Sequence, residues 1–328
     1  MTSLTTKKLL ALSLLKGVGP AALRSSLAVP DFVNSSIEAI TSSVPRIGTA
    51  LKTSAGVWNA ALDSAERQVE AAASIGARII SVVDAEYPPL LRMTKDDPVI
   101  LYVHGRLMPE STHSVAIIGT REPTRHGGII ADRISRFYVE HGWSVVSGLA
   151  IGCDTIAHQA ALDAGGHTVA VLAHGLHTVS PAQNRRLAED ILSKGGALVS
   201  EYPFGRAPSA PQFVKRDRIQ AGLAQGVVMI QSDLRGGSLH ASRAAMNYGR
   251  WLAVPYPTER DISQQEQKIQ ANLLLADQGS GAISELLQCP TSALERIVIV
   301  RGREDYSSLL CEGVSPPDAR PFDQGSLL

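Results

Sequence analysis

The residues able to do chemistry in this chain fall in three glycine-bearing loops and one basic run. Gly119, Thr120 and Arg121 follow the apolar run Ser114–Ile118. Ser147, Gly148 and Gly152 follow Trp143–Val146, and Arg235, Gly236, Gly237 and Ser238 follow Val227–Gln231. Each loop precedes a segment of helical pattern. Loop N–H groups backed by helix N-termini are a common means of holding phosphate. Glycine lets the backbone approach a ligand closely, and Arg121 adds a fork-shaped cation. Such loops also serve as plain chain reversals, and the spacing alone leaves both readings open. No G-x-G-x-x-G follows the first strand and no G-K-[ST] occurs, so neither a dinucleotide fingerprint nor a P-loop is present.

The basic run is Phe213-Val214-Lys215-Arg216-Asp217-Arg218. On a helix starting near Ser209 or Gln212, Lys215 and Arg218 share a face. The helix macrodipole does not favour cations in the first turns, so the run is expected to serve an anionic partner. A solvated helix face is the alternative. Asp217 would either dilute the run or orient Arg216 or Arg218.

Acid–base chemistry has little support. Asp154, Glu201 and Asp233 lie near the loops without the spacing of a catalytic pair. No G-x-S-x-G or H-E-x-x-H occurs. His158 follows Asp154 by one helical turn and reads as a packed residue. His174 and His177 form an H-x-x-H with no third metal ligand in sight. No cofactor is expected.

The elements that must position these residues alternate strand and helix from Ser114 to Val254. That alternation predicts a doubly wound, mostly parallel α/β sheet. Right-handed crossovers then place every glycine loop at one edge. Asp154 is expected to N-cap the helix after the second loop. Arg78–Val83 and Val99–Val103 are expected to extend the sheet. Residues 1–73 read as a helical unit, 74–288 as the α/β domain and 289–328 as a short tail containing the strand-like run Ile297–Val300. In the helical unit, Lys16-Gly17-Val18-Gly19-Pro20 resembles a helix-hairpin-helix turn, or is an ordinary tight turn.

The 31 basic and 31 acidic residues of the 328 balance, so a nucleic-acid partner must be held by a local patch rather than by bulk charge. Cys153, Cys289 and Cys311 lie far apart, which fits neither a metal site nor a disulfide framework and suits a reducing cytosol. The run LLALSLL is too short to span a membrane. A soluble cytoplasmic protein without a signal peptide is expected.

Ordered blocks then carry a resemblance to the DNA-processing protein A family (DprA, also called Smf). They include D-x-x-Y-P-x-x-L at Asp84–Leu91, A-I-I-G-T-R at Ala116–Arg121 and V-V-S-G-L-A-x-G-x-D-x-x-A-H at Val145–His158. S-E-Y-P at Ser200–Pro203, F-x-x-R-x-R-I at Phe213–Ile219 and G-R-x-x-A-V-P at Gly249–Pro255 follow. The resemblance implies an extended Rossmann-like domain behind a small helix-hairpin-helix or SAM-like domain. It implies single-stranded DNA binding, homodimers and help to a RecA-type recombinase, without catalysis. By motif position it places phosphate contacts at Gly119, Thr120, Arg121, Ser147, Gly148 and Gly152, and backbone grip at Lys215, Arg216 and Arg218. The chain departs from the family at Val214 and Asp217, where Pro and Asn are usual, at His240-Ala241-Ser242, and at Tyr256. No counterpart of a C-terminal winged helix is evident. Natural transformation and a defence or toxin–antitoxin cassette with its own partner protein are the settings the resemblance leaves open. A nucleotide-binding sensor or hydrolase on the same loops, or a regulator acting through a protein partner, are the alternatives.

Overall fold

The structure is a computed structural model that describes residues 2–53, 55–108 and 113–311. The sequence GVSPPDARPFDQGSLL, read above as part of a tail, lies outside the described residues.

Five helices open the chain: α1 (Leu4–Ser13), α2 (Pro20–Leu27), α3 (Ile37–Ser43), α4 (Pro45–Leu51) and α5 (Val57–Ser74). Ser3 and Ser36 cap α1 and α3 by accepting the amides of Thr6 and Ala39, and Pro20 and Pro45 start α2 and α4 where no donor is needed. The α/β part follows as β1 (Ala77–Ser81), α6 (Pro89–Arg92), β2 (Ile100–Gly105), β3 (Ser114–Ile118), α7 (Arg125–Glu140), β4 (Ser144–Ser147) and α8 (Cys153–Asp163). It continues as β5 (Thr168–Leu172), α9 (Arg185–Ser193), β6 (Ala197–Ser200), α10 (Ala210–Gly222), β7 (Gly226–Met229), α11 (Ser238–Asn247) and β8 (Trp251–Pro255). Short helices lead to β9 (Ile297–Val300).

These strands form one sheet in the order β1-β2-β6-β5-β4-β3-β7-β8-β9. From β6 to β9 all neighbours are parallel, whereas β1–β2 and β2–β6 are antiparallel. The two strands before Ser114 thus extend the sheet at one edge, and Ile297–Val300 forms the other.

Strand alternation divides the sheet between two faces. Ala116 and Ile118 of β3 face a core shared with Ile219 of α10 and Leu239 of α11. Val115 and Ile117 face Ile134 of α7 and Ala157 of α8. On β5, Ala170 and Leu172 face a third cluster that includes Leu9, Leu12 and Ile47 of the N-terminal helices. That unit therefore packs on the sheet. Asp84 pins it there, accepting from Ser3 Oγ at 2.8 Å, Thr6 Oγ1 at 2.5 Å and the Ser81 amide at 2.7 Å.

From β3 the chain steps through β4 and β5 to β6, then returns to β7 on the opposite side of β3. Loops leaving β3 and β7 diverge at that reversal. This is where open α/β sheets hold ligands.

Candidate functional site

The first and second glycine loops stack on each other. Cys153 N donates to Thr120 O at 3.1 Å, and Thr120 N donates to Gln231 O at 2.8 Å, at the end of β7. Gly152 has φ +83°, and a Cβ there would lie 2.5 Å from Thr120 O and the Arg121 carbonyl carbon. Thr124 caps α7 by accepting the Gly127 amide at 3.0 Å, and the Gln231 side chain spans back to the Thr124 amide at 3.0 Å. A cleft of about 800 Å³ opens between the loops of β3 and β7. Gly119, Thr120 and Arg121 line it on one side, Gly236, Gly237 and Ser238 on the other, with Arg216 in its wall.

Ser147, Gly148, Gly152, Lys215 and Arg218 do not line this cleft. Ser147 is buried and donates to Ile117 O at 2.7 Å. Gly148 N and Ala150 N both donate to Asp154 Oδ2, at 3.1 and 3.3 Å. The second loop's amides thus close on an internal carboxylate. The expected N-cap at Asp154 is corrected accordingly: Gly152 holds the N-cap position of α8, and Asp154 lies in the first turn. Burial raises the Asp154 carboxyl to about 6, against the opposing pull of Arg216.

The basic run is largely committed within the protein. Arg216 is 4% exposed. Its Nη1 donates to Gly148 O at 2.5 Å and to Val171 O, while Nε pairs with Asp217 Oδ1 at 3.0 Å. A buried guanidinium satisfied in this way braces the loop of β4 against α10. Lys215 and Arg218 do share a face, and both converge on Glu201. Lys215 Nζ lies 3.1 Å from Glu201 Oε2, and Arg218 meets both carboxylate oxygens at 2.9 and 3.1 Å. Arg218 also lies 3.6 Å from Asp96. It lines a separate groove of about 390 Å³ with Lys95, Arg243 and His240, and His240 borders the main cleft as well.

The cations left for a ligand are elsewhere. Arg121 and Arg235 are exposed and line the cleft, and neither has a carboxylate oxygen within 4 Å among the described residues, although the Arg121 charge is felt by Asp217. The Arg121 guanidinium lies 5.8 Å from the centroid of the Phe213 ring. Lys268, by contrast, sits between Glu122 at 3.6 Å and Asp233 at 3.5 Å. In the third loop Asp233 accepts Arg235 N at 2.8 Å and Gly236 N at 3.1 Å. The Gly237 and Ser238 amides at the start of α11 meet no acceptor among the described residues. Two open amides and two unpaired guanidiniums across one cleft form a receptor for anionic oxygen.

The histidines lie apart from this chemistry. His158 is fully buried against Thr168 Oγ1 at 2.7 Å, and burial lowers it to about 3, so it stays neutral. His174 is also buried and held low by desolvation, while His177 accepts the Gly205 amide at 3.1 Å. Among the described residues no group of three His, Cys, Asp or Glu is placed to hold a metal. No described helix is long and apolar enough to cross a membrane.

The sequence placed Glu201 near the loops and Phe213 at the head of the basic run without assigning either a contact, and gave Gln231 no role beyond the end of its strand. The usable signal was position: Gln231 and Glu201 each follow the carboxyl end of a parallel strand, where side chains reach the ligand edge.

Comparison with known proteins follows the same blocks. The family model described as DNA recombination-mediator protein A matches residues 78–286. Protein Smf of Escherichia coli (strain K12) is 41% identical over 176 residues, 52% of this chain and 46% of that protein. The DNA processing protein DprA of Bacillus subtilis is 34% identical over 182 residues, 55% of this chain and 61% of that one. The chain thus spans about half the length of the curated relatives it matches. Among solved structures, DprA of Streptococcus pneumoniae superposes with a TM-score of 0.61 at 26% identity, over 84% of this chain and 96% of that one. DNA processing protein A of Helicobacter pylori, described for its single-stranded DNA binding mode, gives 0.57 at 25% identity, over 70% and 95%.

Proposed function

From the premise that this chain belongs to the DNA recombination-mediator protein A family, we propose that it holds single-stranded DNA by its phosphate backbone, without catalysis. The observation that carries this is the pairing, across one open cleft, of the unpaired Arg121 and Arg235 with the open amides of Gly237 and Ser238. Phosphate oxygens accept from both kinds of donor, and a strand can track such a groove without base pairing. Each acid of the cleft already meets a donor or cation: Asp154 two amides, Asp217 the Arg216 guanidinium through one oxygen, Asp233 Arg235 N and Lys268, and Glu122 Lys268. The strand-binding Helicobacter pylori neighbour supports the same partner.

In this reading the grip on phosphate falls to Gly119–Arg121 and Arg235–Ser238. Arg216 acts as a brace, and Lys215 and Arg218 act through Glu201. A homodimer working in the cytoplasm would deliver the strand to a RecA-type recombinase, in DNA uptake or in a cassette with its own partner. Fluorescence anisotropy with labelled single- and double-stranded oligonucleotides of equal length, at two salt concentrations, tests the reading. Salt-sensitive preference for single strands is expected. No binding of single strands at low salt would overturn it.

A second reading, a free nucleotide on the same loops, is favoured by the cleft volume of about 800 Å³, which falls within the range of small-molecule sites. A mononucleotide that raises the melting temperature, with no binding to oligonucleotides, would put this reading first.

A further inference from the structure

The phosphate receptor leaves two acceptors in the same cleft without donors. Gln220 is 2% exposed and lines the cleft wall. Its Nε2 donates to Asp217 Oδ1 at 2.9 Å, which fixes the orientation of the amide because a carboxylate can only accept. Gln220 Oε1 then meets no donor. Asp217 Oδ1 also takes Nε of Arg216 at 3.0 Å, whereas Asp217 Oδ2 accepts no hydrogen bond from the described residues. Arg216 cannot turn to supply one, since its Nη1 is held by Gly148 O and Val171 O.

A buried acceptor such as Gln220 Oε1 is expensive when left empty, and Asp217 Oδ2, on a partly exposed side chain, is the second open acceptor. A phosphate cannot fill them, because it brings acceptors of its own. An amino group can, and its two hydrogens match two acceptors. Pro208, Ala210 and Val214 give the cleft an apolar wall suited to the flat face of a ring. On the strand-binding reading of this cleft, we propose that Asp217 and Gln220 read one base of the bound strand and favour an exocyclic amino group, cytosine over thymine among the pyrimidines. Single strands expose the edge that carries this group. Cytosine presents its N4 amino group to the carboxylate, a pairing also used in duplex readout. Thymine presents O4 at the same position, and its single N3–H sits between two carbonyl oxygens, so it meets the carboxylate with repulsion.

The test is anisotropy at pH 8 and fixed salt with labelled oligo-dC and oligo-dT of equal length. Wild type is expected to bind oligo-dC about tenfold more tightly, the discrimination of one good base-edge contact. Asp217→Asn, which can donate as well as accept, is expected to bring the two affinities within about twofold, and Gln220→Met to narrow the ratio. Arg121→Ala should weaken both oligonucleotides together and keep the ratio. A general loss of structure would lower both affinities without equalising them, so the ratio separates reading from folding. Equal binding of oligo-dC and oligo-dT by wild type overturns the proposal and leaves strand binding intact. An unchanged ratio in Asp217→Asn also overturns it. Failure to bind either oligonucleotide overturns the strand-binding reading and this proposal with it.

Discussion

Gly148 donates its amide to Asp154 Oδ2 at 3.1 Å, so a loop of phosphate-binding type closes on the protein's own buried carboxylate. That carboxyl is raised to about 6 by burial, above the roughly 3.9 of an unfolded chain. Between those values the folded state keeps a proton that the unfolded state releases, so Asp154 costs stability as pH rises from about 4 to 6. At about 1.4 kcal/mol per unit, the cost reaches roughly 3 kcal/mol at neutral pH. Asp154→Asn keeps an acceptor for Gly148 N and has no charge to bury. Its stability relative to wild type, from urea midpoints, should rise by roughly 2–3 kcal/mol between pH 4 and 7. A difference that stays flat over this range would mean the carboxyl titrates normally.

Arg121 and Arg235 should dominate the salt dependence of strand binding. Each phosphate contact on a single strand contributes about 0.7 to the slope of log K against log salt. Arg121→Ala and Arg235→Ala are each expected to lower the slope by about 0.7. Lys215→Ala should change it less, because Lys215 already faces Glu201 at 3.1 Å. Titrations at four salt concentrations check this. A slope that falls with Lys215→Ala and holds with Arg121→Ala would return the phosphate grip to α10.

Much of this arrangement was legible because it follows chain periodicity. Alternation of Val115 and Ile117 with Ala116 and Ile118 announces a strand buried on both faces, and glycine marks where it ends. The aim of Arg216 was not legible. In Lys215-Arg216-Asp217-Arg218 the three cations look alike, yet Arg216 turns inward to the carbonyls of Gly148 and Val171, on other elements. The pairing of Glu201 with Lys215 and Arg218 was equally hidden, since it arises when α10 packs over β5 and the neighbouring β6 carries Glu201 at its end. The antiparallel setting of β2 against β6 likewise joins segments nearly a hundred residues apart, which no local pattern encodes.

Asp84 ties the N-terminal helices to the sheet, and removing it should loosen them first. Burial pushes its carboxyl up, but the hydrogen bonds from Thr6, Ser81 and Ser3 outweigh this and hold it below the usual carboxylate range. The resulting stabilisation is present above the unfolded pKa and is lost as pH falls through the folded one. Asp84→Ala leaves those donors without their acceptor and should cost about 2 kcal/mol at neutral pH. Because the lost contacts join α1 to β1, limited proteolysis should cut within residues 1–73 of the variant before the α/β part is touched. Simultaneous cleavage throughout the chain would mean that the two parts unfold as one.

Gly152 offers the sharpest test of the stacked loops. At φ +83° any other residue is strained, and an alanine Cβ would also press to 2.5 Å from Thr120 O and the Arg121 carbonyl carbon. Gly142 separates the two effects. It has φ +77° with nothing within 4 Å of its Cβ position, so Gly142→Ala reports backbone strain alone, about 1–2 kcal/mol. Gly152→Ala adds a clash with backbone that cannot swing aside, so its cost should exceed that of Gly142→Ala by at least about 1 kcal/mol. Relief requires Thr120 and Arg121 to move, and Arg121 carries one of the two unpaired guanidiniums. Gly152→Ala should therefore weaken single-strand binding severalfold at a temperature where it remains folded, while Gly142→Ala binds as wild type does. Equal stability losses with unchanged binding in both variants would show that the loops do not depend on this close approach.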